Sequence, residues 1–373
     1  MKRILFLLCL IVLLLNACQA QPSPTPLAEI TPIEVTKAPA AQPTQTRYVT
    51  PTFAVPVVTA VDEFAFAQLK RLGRGVNLGN ALEAPTEGEW GVTLEEGYFQ
   101  LIKDAGFNSV RIPIRWNAHA GEQPPYAIDP AFFDRVDWAV AQALQRDLVA
   151  VINIHHYLEF MESPRVHTER FLALWEQIAR HYQDYPDSLY FEPLNEPNGS
   201  LGVISWNSVV PQVIGVIRKT NPNRTIILGP GNWNNIYDLP ALELPKEDRN
   251  LIITVHYYSP FEFTHQGAEW AAGSDAWMGT TWEATEDQAT AVVRDMNAAA
   301  RWGAQNVRPI YLGEFGAYSK AGIESRERWM AFVARTAEER GFAWAYWEFC
   351  AGFGVYDAAK KAWNEPIKRA LLP

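Results

Sequence analysis

Short apolar runs recur from about Leu72 to the C-terminus and alternate with stretches whose apolar residues fall at helical spacing. The runs are Gly75–Asn80, Ser109–Ile114, Val149–His156, Leu189–Pro193, Thr225–Leu228, Leu251–Tyr258, Ile310–Glu314 and Phe342–Trp347. Most are apolar at nearly every position, as parallel strands covered on both faces should be, and lack the alternation of a sheet with one wet face. Between them, Phe171, Leu174, Trp175, Ile178, Ala179 and Tyr182 fall at i, i+3, i+4, i+7, i+8 and i+11, one stripe of a helix. Asp129 before Pro130 reads as an N-cap followed by a first-turn proline. Eight strands with interleaved helices predict an α/β fold, a (β/α)8 TIM barrel in preference to a doubly wound sheet. The pattern is weakest after the fifth run, where Asn232–Leu244 contains Pro240 and little periodicity.

The first residues obey another pattern. Lys2 and Arg3 precede an unbroken apolar run, Ile4–Leu15, and small residues follow, which predicts a signal peptide over residues 1–18. Leu15-Asn16-Ala17-Cys18 resembles the lipobox of bacterial lipoproteins, so Cys18 is expected to be acylated, with simple secretion after cleavage near Ala20 as the alternative. Residues 19–58 are rich in Pro, Thr, Ala and Gln and bury too little apolar surface to fold, so they read as an extended tether. Residues 59–373 show no second linker and are read as one domain. The expected location is outside the cytoplasm, as a lipoprotein anchored to a membrane at the cell surface or else free in the medium. With Cys9 in the signal and Cys18 lipidated, Cys350 stands alone, and no internal disulfide is expected.

Composition narrows the function classes. The chain has 373 residues, 48% of them hydrophobic, enough for a large core, and a formal net charge of -10 that argues against a nucleic-acid partner. Fourteen Trp is a high count. Most should be core, but flat aromatic faces are also what sugar rings stack on. Trp90, Trp116, Trp206, Trp233, Trp277 and Trp282 fall in or beside loops that follow strands, and as a group they suggest sugar platforms.

Polar groups gather where the strand runs end: Asn80, His155 and His156, Asn195 and Glu196, His256 and Tyr258, Glu314, then Trp347. Each alone reads as an ordinary structural or solvated residue. Together they converge on the carboxyl-terminal mouth of a barrel, where this architecture builds its active sites. Two of them, Glu196 and Glu314, are carboxylates, and a pair of carboxyl groups across one acetal is the equipment of glycoside hydrolysis.

These strings resemble glycoside hydrolase family 5, a cellulase family of retaining β-glycanases with the (β/α)8 fold. The resemblance rests on Arg74-Gly75-Val76-Asn77-Leu78-Gly79-Asn80-Ala81-Leu82-Glu83, Val110-Arg111-Ile112-Pro113, Ile154-His155-His156, Phe191-Glu192-Pro193-Leu194-Asn195-Glu196-Pro197, His256-Tyr257-Tyr258, Gly313-Glu314-Phe315-Gly316 and Trp347. It implies that Glu196 is the acid/base and Glu314 the nucleophile, with Arg111 and Tyr258 beside the nucleophile. It further implies that Asn195 binds the sugar 2-hydroxyl, that His155, His156 and His256 shape the central sugar site, and that Trp347 is a stacking platform. Asn80 and Glu83 are expected to touch sugar hydroxyls further along the cleft. Because neighbouring strand residues point to opposite sides, His156 is expected to face inward more than His155.

The implied activity is endo-acting hydrolysis of β-1,4-glucan with retention, without metal or cofactor, by a monomer. β-Mannan, xyloglucan and mixed-linkage glucan are the alternative substrates. A zinc hydrolase using His155, His156 and His256 is disfavoured, since adjacent histidines on one strand do not readily share an ion. A non-catalytic glycan-binding protein is the rival of another class.

Overall fold

The computed structural model describes residues 60–373, so the signal segment, Cys18 and the tether through residue 58 lie outside the described residues. Among the described residues, eight strands close a barrel in chain order: β1 (Arg74–Asn77), β2 (Ser109–Ile112), β3 (Val149–Asn153), β4 (Leu189–Glu192), β5 (Ile226–Leu228), β6 (Leu251–Tyr257), β7 (Ile310–Phe315) and β8 (Ala343–Tyr346). Every neighbouring pair is parallel, including β1 with β8. Helices such as Pro130–Leu144, Pro164–His181, Glu286–Asn306 and Ile323–Glu338 pack outside. Asp129 caps the first of these through Ala131 N–H at 2.9 Å, and the stripe Phe171, Leu174, Trp175, Ile178 and Ala179 is buried as its spacing requires.

Two cores result. The larger lies between barrel and helices and takes one set of alternate strand residues, among them Val76, Val110, Ile112, Phe191 and Leu312. The smaller fills the barrel with the other set, including Val149, Val151, Tyr190, Ile227, Ile252 and Tyr311. The helix Ala60–Leu72 contributes Leu69 and Leu72 to this inner core, and its Gln68 accepts the Tyr190 hydroxyl at 2.5 Å. Following the inward-facing parity, β3 turns from Val149 and Val151 to Asn153 and β4 from Tyr190 to Glu192, while β2 presents Ser109 and Arg111, both polar. Asn77, Arg111, Asn153 and Glu192 are all fully buried and form a polar layer beneath the mouth.

Most strands stop earlier than their apolar runs suggested. β1 ends at Asn77, β3 at Asn153 and β8 at Tyr346, so Asn80, His155, His156 and Trp347 lie in the loops beyond. β6 stops only one residue short of its run, at Tyr257, and β7 passes its run by one, to Phe315, so His256 and Glu314 lie within strands. There the register shifts after Val255 and after Leu312, a bulge that brings His256 opposite Glu314. Asn77 Nδ2 donates to the Gly313 carbonyl within that bulge at 3.0 Å.

Candidate active site

The mouth opens into a cleft of about 1300 Å³, lined by both glutamates together with Asn80, His155, His156, Asn195, His256, Tyr258 and Trp347. Glu196 leaves β4 through the Asn-Glu-Pro turn, in a left-handed conformation with φ 46°. Backbone bonds on both sides fix it: Asn195 N–H donates to Ile154 C=O at 2.9 Å, and Asn198 Nδ2 donates to the Glu196 carbonyl at 2.8 Å. Glu196, His256 and Glu314 each offer an atom within 4.8 Å of the others, which places the two carboxylates face to face.

Arg111 organises the floor. All five of its N–H groups are used: Nε and Nη2 grip Glu192 at 2.6 and 2.9 Å, Nη1 donates to Asn77 at 2.8 Å and to Glu314 at 2.7 Å, and Nη2 donates to Asn195 Oδ1 at 2.7 Å. Burial works against its charge, but Glu192 and Glu314 more than offset that and raise its pKa. Because Asn195 Oδ1 is held by the guanidinium, its amide N–H2 remains as a donor. Glu314 also receives the Tyr258 hydroxyl on Oε2 at 2.9 Å, so both of its oxygens are engaged.

The two carboxylates differ in their electrostatics. Burial pushes Glu196 up to about 7, opposed by Arg111 and reinforced by Glu192. Burial raises Glu314 too, but Arg111 and the Tyr258 hydroxyl act against the rise. Glu196 meets His256 Nδ1 at 2.7 Å, and burial lowers His256 to about 4, so the ring is neutral at neutral pH. The arrangement thus holds one carboxyl that keeps its proton near neutrality beside one surrounded by donors. As metal donors, Glu196, His256 and Glu314 are the group of three close enough among the described residues. Glu196 and His256 already bond each other, and Glu314 is held by Arg111 and Tyr258.

Other expectations meet a different outcome. Both histidines after β3 reach the cleft: His155 stacks on Trp347 at 5.5 Å with planes 10° apart, and His156 lies edge-on to Trp90 at 5.5 Å. His156 faces the cleft as expected, and because β3 ends at Asn153 strand alternation does not keep His155 from facing it too. Asn153 Nδ2 meets His155 Nδ1 at 3.2 Å, leaving Nε2 to carry the proton. Glu83 is buried, with both oxygens occupied by the N–H groups of Asn80 and Ala81, so it shapes the loop around Asn80. Burial pushes it up to about 8. Of the tryptophan group, Trp116, Trp206 and Trp282 are fully buried core residues and Trp277 does not line the cleft, whereas Trp90 and Trp233 do.

Sequence reasoning missed several residues. Asn77, Asn153 and Glu192 were detectable as polar residues at inward parity in otherwise apolar runs. Glu348 has no such mark; its carboxylate accepts the N–H groups of Cys350, Ala351 and Phe353 and holds the cleft loop after β8. Trp270, Tyr237 and Phe353 also line the cleft, and Tyr237 is held by its hydroxyl bond to Asp295 at 2.5 Å. The segment without periodicity, after β5, makes one wall. Asn232, Trp233 and Asn234 are all left-handed, with φ of 61°, 59° and 53°, a conformation that asparagine tolerates but that costs Trp233 roughly 1–2 kcal/mol.

The model of the family Cellulase (glycosyl hydrolase family 5) matches residues 73–352. Endoglucanase H of Acetivibrio thermocellus is 41% identical over 289 residues, covering 78% of this chain and 30% of that protein. Cellulase/esterase CelE of the same organism is 30% identical, covering 77% and 36% respectively. The chain therefore spans about a third of the length of these two curated relatives. Crystal structures of Thermotoga maritima Cel5A, in complex with mannotriose and with cellobiose, superpose with a TM-score of 0.81 at 52% identity, covering 82% of this chain and 99% of theirs.

Proposed function

The chain belongs to glycosyl hydrolase family 5, the cellulase family, and on that footing we propose that it is an endo-acting β-1,4-glucanase that works by double displacement with retention of configuration. The observation that carries this reading is the separation of Glu196 and Glu314, whose facing atoms lie within 4.8 Å. Retaining enzymes hold their carboxyl groups about 5–5.5 Å apart, whereas inverting enzymes leave about 6.5–9.5 Å for a water.

In this reading Glu314 attacks the anomeric carbon while Glu196 delivers its proton to the departing glycosidic oxygen. The C–O bond to the leaving sugar breaks as the ester to Glu314 forms. Glu196, now a carboxylate, takes a proton from a water that displaces Glu314 and restores both groups. Arg111 and Tyr258 lower the basicity of Glu314 so that it can leave, and the Asn195 amide donates to the sugar 2-hydroxyl as charge develops at the ring. Trp347, braced by His155, offers a face to the sugar ring.

A glucan substrate is supported by the relatives named endoglucanase and by the cellobiose complex of Cel5A; the mannotriose complex of that protein makes mannan the first competitor to test. Following the released anomer by NMR on cello-oligosaccharides tests the whole scheme: the β-anomer is expected first, and the α-anomer would overturn it. Turnover on a panel of glucan, xyloglucan and mannan ranks the substrates, and binding without turnover on all of them would favour a glycan-binding protein. We further infer export and lipid attachment at Cys18 from the Leu15–Cys18 string, tested by the mass of the mature N-terminus. An unmodified N-terminus there would refute the anchor.

A further inference from the structure

We propose that Asn234 is a positioning residue that sets the tautomer of His256, and through it the oxygen on which Glu196 keeps its proton. The proposal rests on the reading of Glu196 as acid/base. Asn234 is fully buried, and its Nδ2 lies 3.2 Å from His256 Nε2. An amide N–H2 only donates, so Nε2 must accept, and the single proton of the neutral ring is then on Nδ1. Nδ1 in turn lies 2.7 Å from Glu196 Oε1 and 3.6 Å from Glu314 Oε2, so its one N–H is given to Glu196. With Oε1 occupied as an acceptor, the proton of the Glu196 carboxyl is confined to Oε2, the oxygen left for the substrate.

The backbone is built around this contact. The left-handed run Asn232–Asn234 sends two neighbouring side chains in opposite directions: Trp233 is 54% exposed and lines the cleft, and Asn234 is turned beneath the imidazole. Trp233 N–H donates to Pro197 C=O at 3.1 Å, which ties this turn to the Asn-Glu-Pro turn that carries Glu196. The Asn234 Oδ1 has no hydrogen-bond partner and presses on Gly229, where a Cβ would collide with the amide. His155 is set the other way: Asn153 donates to its Nδ1, so its proton sits on Nε2. The same side-chain pair thus prepares two histidines in opposite tautomers.

The test combines spectroscopy with leaving-group dependence. In wild-type protein with 15N-labelled histidine, His256 is expected to carry its proton on Nδ1; an Nε2-protonated neutral ring overturns the proposal. Asn234→Asp keeps the shape and the tolerance for left-handed backbone but accepts instead of donating, and is expected to place a proton on Nε2. Its kcat/KM should fall about 10- to 100-fold on a cello-oligosaccharide, whose departure needs acid, and less than about 3-fold on dinitrophenyl cellobioside, which leaves unaided. Equal losses on both substrates would mean a merely structural role. Asn234→Ala, which removes the donor without adding charge, should show the same split if the aspartate variant folds poorly. Glu196→Gln is the reference: if it shows no such split, the acid/base reading fails, whereas a split in Glu196→Gln alone sinks only the role of Asn234.

Discussion

Glu196 and Glu314 face each other within 4.8 Å, yet one lies over a charged floor and the other against a neutral wall. Glu314 ends an inward-facing strand segment, with a guanidinium on one oxygen and a phenol on the other. Glu196 stands one turn beyond its strand, with 23% of its side chain open to the cleft and a neutral imidazole on one oxygen. Glu314 is the more deeply buried of the two, yet Arg111 and the Tyr258 hydroxyl both resist the upward shift that burial brings there, whereas near Glu196 only Arg111 does. The difference teaches that a division of labour between identical side chains is made by what the next layer donates, more than by depth alone.

The largest test of that contrast removes the charged side. Glu314→Gln should lower kcat on every substrate, activated or not, by on the order of 10⁴-fold or more, since no nucleophile remains. Retained turnover on any of them would end the assignment. Glu196→Gln should cost about 10²- to 10⁴-fold on cello-oligosaccharides and far less on dinitrophenyl cellobioside in kcat/KM, because only the former departure needs a proton. Arg111→Met would leave Glu192 and Glu314 buried without their cation, and is expected to destabilise the fold by about 3–5 kcal/mol, read from denaturant unfolding. An unchanged midpoint would show that the floor is not held by charge.

The pH profile sharpens the comparison further. A carboxyl raised to about 7 is protonated below that value, so kcat/KM should fall as pH rises through about 7, approaching tenfold per unit above it. Glu196→Gln should lose that limb. The smallest effect expected is at the rim: Trp233→Ala should raise KM for longer oligosaccharides with little change in kcat, by an amount matching about 0.5–1.5 kcal/mol of stacking. An identical KM would remove Trp233 from the sugar path.

Much of this was legible in the chain because the barrel repeats one simple rule. Strands covered on both faces must be apolar at nearly every position, and such runs stand out in any sequence. Polar or aromatic groups at or just past the ends of six of the eight runs then mark the mouth, which brought Glu196, Glu314, His256 and Trp347 into view without coordinates. The rule fails where the backbone is neither strand nor helix. Asn232–Asn234 has no periodicity because its left-handed conformation has none to offer, and the tryptophans split between core and cleft according to loop paths that composition does not encode.

The sequence alone determined the order of the strands, the position of the two carboxylates at strand ends and the family to which they belong, because these depend on local pattern and on strings of contiguous residues. Only the tertiary structure decided which side chains meet. Arg111 gathers Asn77, Glu192, Asn195 and Glu314 from three other places in the chain, and Asn234 reaches the ring of His256 from the connection between β5 and β6. Hydrogen bonds act over about 3 Å whatever the separation along the chain, so the protonation of each carboxyl is settled by neighbours that closure of the barrel brings together.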